Sequence, residues 1–167
     1  SRFIWEGDGI AKARRRKRED NLGFIAIDYL QLLKSGSKQA QNSREREIGE
    51  ISAGIKALAK ELGVPILVLA QLNRGPEGRT GKSLGVPRMS DLRESGTIEQ
   101  DADMIGLLYR TAYYAETEEE KEQEAGKAEL LLSKNRNGET GHVPLTFIAE
   151  LMRFETRVRD ENDHGPE

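Results

Sequence analysis

Two short apolar runs separated by one amphipathic helix constrain the fold of this chain most. Phe24-Ile25-Ala26-Ile27-Asp28 and Ile66-Leu67-Val68-Leu69-Ala70-Gln71 are continuous in hydropathy rather than alternating. Runs of that kind fit the strands of a parallel sheet covered by helices on both faces, whereas a sheet with one wet face shows alternation. Between them, Ile48, Ile51, Ile55, Leu58 and Leu62 recur at steps of three and four residues and form one apolar stripe. Asn42 with Glu45 reads as a capping-box start for that helix, and Gly63 followed by Pro65 as its stop. A charged helix over residues 10–20, ended by residues 21–23, precedes the first run. The order helix, strand, helix, strand predicts an α/β fold.

In open parallel sheets, ligands bind at the carboxyl ends of the strands. The first run ends on the carboxylate of Asp28 and the second on the amide of Gln71. An apolar run ending on Asp has the form of a Walker B strand, whose carboxylate helps hold Mg²⁺ on a nucleoside triphosphate. The ordinary alternative is a turn or cap Asp. An amide such as Gln71 can serve as a sensor beside the γ-phosphate and its attacking water. A phosphate loop needs Gly, four residues, then Gly-Lys-Ser/Thr opening a helix. Gly81-Lys82-Ser83 does not meet this pattern: Pro76 occupies the first glycine position, and Leu84-Gly85-Val86-Pro87 is a poor helix start. We read it as a loop.

Residues 90–103 are polar and charged, with Arg93 and Gly96 among them. Backbone N–H groups and an Arg there can hold nucleic-acid phosphates, and a plain surface turn fits equally well. Met104-Ile105-Gly106-Leu107-Leu108-Tyr109 predicts a third buried strand, and the acidic residues 115–125 a surface helix. Residues 128–133 and 142–148 read as strands joined through Asn135-Arg136-Asn137-Gly138, where Asn-Gly is a hairpin signal. Pro144 predicts that the second of them lies near a sheet edge. Lys134 and Arg136 fall on alternate positions at the end of the first. Cations so placed can stabilise charge on a transferring phosphoryl group, or can be ordinary solvated hairpin charges.

The 167 residues suffice for one domain with a modest core, which we place at residues 1–159 with a disordered tail at 160–167. A net charge of −3 gives no bulk attraction for nucleic acid, so any such binding needs a local patch. Lys12, Arg14, Arg15, Arg16, Lys17 and Arg18 crowd one short stretch, as a solvated helix face or as such a patch. The lack of cysteine excludes disulfides and thiolate metal sites, and two histidines are too few for a His-rich one. No apolar stretch reaches membrane-spanning length, so a cytoplasmic protein without a membrane partner is expected.

Five segments in order resemble the replicative helicases of the DnaB type. They are Ile27-Asp28-Tyr29-Leu30-Gln31-Leu32; Lys56-Ala57-Leu58-Ala59-Lys60-Glu61-Leu62; Ala70-Gln71-Leu72-Asn73-Arg74; Asp91-Leu92-Arg93-Glu94-Ser95-Gly96 through Glu99-Gln100-Asp101-Ala102-Asp103; and Lys134-Asn135-Arg136-Asn137-Gly138. The likeness runs from about Phe3 to Phe154. It implies a RecA-like ATPase fold, mostly parallel with helices on its faces and an antiparallel hairpin near its carboxyl end, truncated on its amino-terminal side. It implies ATP and Mg²⁺ as cofactors, and a hexameric ring around single-stranded DNA that meets a primase and a helicase loader. By the same resemblance, Asp28 is the Walker B metal-supporting carboxylate and Gln71 links the γ-phosphate to the DNA loops. Arg93, Glu94 and Gly96 belong to the loop that grips the DNA backbone. Lys134 and Arg136 reach the neighbouring subunit's ATP, Arg136 as the arginine finger. The family's phosphate loop and catalytic glutamate find no counterpart here, so the isolated chain is expected to be inactive. A truncated paralogue docking on complete subunits, and a RecA-family regulator without unwinding activity, are the competing expectations.

Overall fold

Helix α2 (Arg44–Leu62) organises the first half of the chain, because its apolar stripe needs cover that no isolated helix can provide. The structure, a computed structural model, describes residues 9–37, 40–73, 76–79, 84–92 and 96–157. Gly81, Lys82, Ser83, Arg93, Glu94 and the 160–167 tail lie outside the described residues. Contacts divide the chain into two compact units.

The first unit contains residues 1–72 and 92–102. In it, Ile48, Ile51, Ile55 and Leu58 of α2 pack with Leu30 and Leu33, which lie just after β1 (Ile25–Ile27). Burying an aliphatic side chain of this size contributes about 1.5–3 kcal/mol, so this cluster dominates the unit's stability. Strand β1 pairs in parallel with β2 (Ile66–Val68), as expected, with Ile25 opposite Ile66 and Ile27 opposite Val68. Ile27, Ile66, Val68 and Ala70 pack on the core. Phe24, Leu67 and Leu69 remain about half exposed. The cover expected on both faces is present on one face among the described residues. A continuous apolar run does not say which of its faces is covered.

Helix α2 ends as its sequence requires: Gly63 takes a left-handed conformation (φ 62°) and its N–H returns to the Ala59 carbonyl. Its start corrects the expected cap. Ser43 is the N-cap and makes no side-chain capping bond, while Asn42 closes a short 3-10 turn whose Ala40 carbonyl accepts from Ser43 N–H. Helix α1 (Ile10–Asp20) has its expected bounds. Three of its six cations pair with carboxylates: Arg14 makes two 2.7 Å bonds to Glu61, Arg16 reaches Asp20 at 2.5 Å, and Arg15 lies 3.8 Å from Glu19. Pairs this exposed exchange partners at small cost, so they fit a solvated face and a nucleic-acid patch alike. Part of the segment expected as loop forms a short helix, α3 (Gly96–Asp101), whose Ile98 packs on the α2 core.

The second unit contains residues 73–91 and 103–167. Here β3 (Met104–Tyr109), β4 (Lys127–Asn135), β5 (Gly141–Ile148) and β6 (Arg153–Thr156) form one antiparallel sheet in sequence order. The expected hairpin is its β4–β5 pair, and the antiparallel region is larger than a hairpin. Strand β3 alternates, Ile105 and Leu107 buried and Met104 and Leu108 exposed, rather than being buried throughout. Strand β5 lies between β4 and the edge strand β6, second from the edge of this sheet, as the position near an edge read from Pro144 allows. The β5–β6 pairing begins one residue later, at Leu145, so the missing proline N–H falls at the end of that ladder. Its carbonyl still accepts from Arg157 N–H at 3.2 Å. The acidic segment forms the exposed helix α4 (Glu118–Gln123), started by a complete capping box between Thr117 and Glu120. Among the described residues, no helix is long and apolar enough to cross a membrane.

Candidate functional site

The parallel pair positions two of the sequence-predicted residues. Its ladder continues past the regular strands: Leu69 N–H donates to the Ile27 carbonyl at 2.9 Å, and Leu30 N–H to the Leu69 carbonyl at 2.8 Å. Continuing the register, Asp28 falls opposite Leu69, two residues short of Gln71. Both Asp28 and Gln71 are exposed, at the carboxyl edge of adjacent parallel strands. A ligand at that edge meets a carboxylate from one strand and an amide from the other.

A side chain that sequence reasoning passed over joins the two strands. The Gln31 amide Nε2 donates to the Gln71 carbonyl at 3.0 Å, and Gln71 N–H donates back to Gln31 Oε1 at 3.2 Å. Both bonds fall on the Gln71 backbone, as a neighbouring strand's would. Gln31 is itself anchored: Arg44 Nη2 donates to its carbonyl at 2.7 Å, and Nη1 to the Leu33 carbonyl at 3.3 Å. Arg44 also pairs with Glu47, whose side chain is 5% exposed. Glu47 accepts from Ser35 N–H at 3.1 Å and lies 3.5 Å from Lys34 Nζ. Burial pushes the Glu47 carboxyl up, but the hydrogen bonds from Arg44 and Ser35 and the nearby Lys34 charge outweigh it and hold the group below its ordinary value. A signal for Glu47 was present, since it sits four residues before Ile51 on the buried stripe.

In the second unit, Lys134 and Arg136 lie two residues apart at the tip of the β4–β5 hairpin. The turn is built by Asn135, whose side chain donates to the Glu139 carbonyl at 3.1 Å and accepts from Asn137 N–H at 3.3 Å. A bulge precedes them: Ile105 pairs with Lys134 but Gly106 with Leu132, leaving Ser133 without a partner in the register. Such bulges bend a strand and re-aim the side chains beside them. Arg136 is half exposed and lies 3.2 Å from Asp103, whose carbonyl also accepts its N–H at 2.8 Å.

Of the expected DNA-gripping residues, Gly96 is described, as the exposed first residue of α3. The segment before it has an anchor absent from the sequence reading. Asp91 is 3% exposed and takes both guanidinium nitrogens of Arg79, at 2.7 and 3.0 Å, with Arg88 N–H at 2.7 Å. Its carbonyl accepts from Asn73 N–H at 2.9 Å. No group of three or more metal-ligating side chains occurs among the described residues. A divalent ion at Asp28 would therefore take most of its oxygens from nucleotide and water, the usual habit of Mg²⁺.

Three comparisons bear on this geometry. The family model for the DnaB-like helicase C terminal domain matches residues 8–156. The replicative DNA helicase DnaC of Bacillus subtilis (strain 168) is 46% identical over 155 residues, which cover 93% of this chain and 32% of that protein. The chain thus spans about a third of the length of that curated relative. One solved ATPase domain superposes with a TM-score of 0.77 at 40% identity, covering 89% of this chain and 50% of that one. A DnaB-like replicative helicase, solved in a study of its interactions with primase, gives 0.73 at 40% identity, covering 87% and 34%.

Proposed function

Since this chain belongs to the DnaB-like helicase C-terminal domain family, we propose that it is the carboxyl-terminal part of a replicative helicase's RecA-like motor. On this reading residues 1–159 form part of one motor domain. The subunits assemble as a hexameric ring in the cytoplasm, and ATP hydrolysis between them drives movement along single-stranded DNA and unwinding of the duplex. The primase interactions named for one related structure suggest the same kind of partner here, alongside a helicase loader.

One observation carries the reading: Asp28 and Gln71 stand at the carboxyl edge of two hydrogen-bonded parallel strands. Asp28 offers the carboxylate that supports Mg²⁺ on ATP, an ion that would neutralise phosphate charge. Gln71 presents an amide to the γ-phosphate end of the nucleotide. Lys134 and Arg136 place two cations at an exposed hairpin tip, suited to entering a neighbouring subunit's site. The Arg136–Asp103 pair is half exposed, and such pairs exchange partners at small cost. Arg93, Glu94 and Gly96 belong to the DNA contact, which would be salt-sensitive and indifferent to base sequence.

The test is complementation in mixed rings of complete subunits. Asp28→Asn and Arg136→Ala should each lower DNA-stimulated ATP turnover by at least about a hundredfold. Mixing the two variants should restore part of it, because an Arg136→Ala subunit keeps its own Asp28 and borrows Arg136 from an Asp28→Asn neighbour. No recovery on mixing would count against the shared site. The isolated chain should turn over no ATP, since no segment of it fits a phosphate loop. Steady turnover abolished by Asp28→Ala would contradict this.

A further inference from the structure

We infer that Gln31 is a positioning residue for Gln71, so that the orientation of the γ-phosphate-sensing glutamine is set by the segment that follows the Asp28 strand. The inference rests on the proposed role of Gln71 and adds the element that aims it.

Gln71 lies beyond the regular part of β2, which ends at Val68. Past Leu69, no backbone group of the β1 side meets its N–H or C=O among the described residues, and the Gln31 side chain supplies both partners instead. A primary amide carries one acceptor and two donors, so glutamine can close both bonds of such a clasp with one rigid plane. Neither an apolar residue nor a carboxylate of the same length can do so. The clasp is held from behind. Arg44 of α2 grips the Gln31 and Leu33 carbonyls, and buried Glu47 fixes Arg44. The contacts therefore run without a break from Glu47 to Arg44, to Gln31, to the Gln71 backbone. A backbone held on one side at both N–H and C=O has few ways to turn, which restricts where its side chain can point. Gln31 touches no reacting atom in this arrangement and acts through Gln71.

The variant Gln31→Met keeps the length and removes both bonds. In the chain itself, hydrogen exchange at Gln71 N–H should accelerate about three- to tenfold, the scale of losing one or two modest hydrogen bonds. Exchange at Leu69 N–H, bonded to Ile27, should not change. Gln31→Glu keeps an acceptor but sets a carboxylate oxygen against the Gln71 carbonyl, so it too should accelerate exchange at Gln71 N–H, and unchanged exchange in it counts against the clasp. It gives an independent reading if the methionine variant folds poorly. Unchanged exchange at Gln71 in Gln31→Met would overturn the clasp.

In the complete subunit, Gln31→Met should lower DNA-stimulated kcat about three- to tenfold with little change in KM for ATP. Placed in a Gln71→Ala background, it should add nothing. If Gln71→Ala lowers stimulated turnover and Gln31→Met does not, the positioning role is overturned while the reading of Gln71 stands. If Gln71→Ala itself leaves stimulated turnover intact, the reading of Gln71 fails and this role falls with it.

Discussion

Replacing Arg44 by Met would test whether a buried charge holds the site's supporting loop. The Glu47 side chain is 5% exposed and that of Arg44 27%. Removing one partner of a buried pair costs about 3–5 kcal/mol, mostly because the remaining charge stays buried and uncompensated. Here Glu47 retains Ser35 N–H and the Lys34 ammonium at 3.5 Å, so a loss of about 2–3 kcal/mol at pH 7 is expected. With a urea slope of about 1–3 kcal/mol per molar, the unfolding midpoint should fall by about 1 M or more. The pH dependence follows from the direction of the Glu47 shift. A carboxyl held low in the folded state contributes stability that is present above its unfolded value, about 4.3, and is lost as pH falls through the folded one. The difference between the two proteins should therefore be full at pH 7 and narrow below about pH 4. Urea titrations followed by circular dichroism at several pH values measure this. A difference under about 0.5 kcal/mol at pH 7, or one equally large at low pH, would refute the reasoning.

Three further outcomes follow from packing. Ile51 is fully buried, so Ile51→Ala should destabilise the first unit by about 2–5 kcal/mol and Ile51→Val by about 1 kcal/mol, read from denaturant midpoints. Gly85 combines φ +71° with a Tyr114 ring that would lie 2.1 Å from an added Cβ. Gly85→Ala should accordingly cost about 2–4 kcal/mol in the second unit, seen as a lower thermal transition and changed tyrosine fluorescence. Thr117→Ala removes half of the capping box on a helix with no buried residues. Amides of α4 should exchange about fivefold faster, while the global midpoint moves little.

How far the sequence could be read varied with the range of the interaction. The α2 stripe, its Gly63 stop and the bounds of α1 depend on neighbours within one or two turns, and they were legible. The cap was misplaced by one residue because Asn42 and Ser43 are both good capping types, and the choice was made by a 3-10 turn upstream. The strand segments were legible as apolar runs, but their partners were not. Nothing in Met104 to Tyr109 says that it pairs with Lys127 to Asn135, or that Ser133 forms a bulge there. Pro144 pointed to a position near an edge, and β5 is the next strand in from the edge strand β6, with the proline just beyond that ladder. At the site, Asp28 and Gln71 could be named because each ends an apolar run. Gln31 could not, because its partner is 40 residues away and an amide inside Tyr29-Leu30-Gln31-Leu32 has no periodic signature.

The sequence by itself determined which residues are chemically able to serve: a carboxylate and an amide at two strand ends, and two cations before an Asn-Gly turn. Local periodicity and turn chemistry are properties of adjacent residues, so the chain carries them whatever it packs against. Only the tertiary structure decided that β1 and β2 run side by side in a register that brings Asp28 and Gln71 to one edge. It alone decided that Gln31 closes the gap to Gln71, and that Arg44 and Glu47 stand behind it. Those are contacts between groups distant in sequence. They form only when burial of the α2 stripe offsets the conformational entropy of bringing them together.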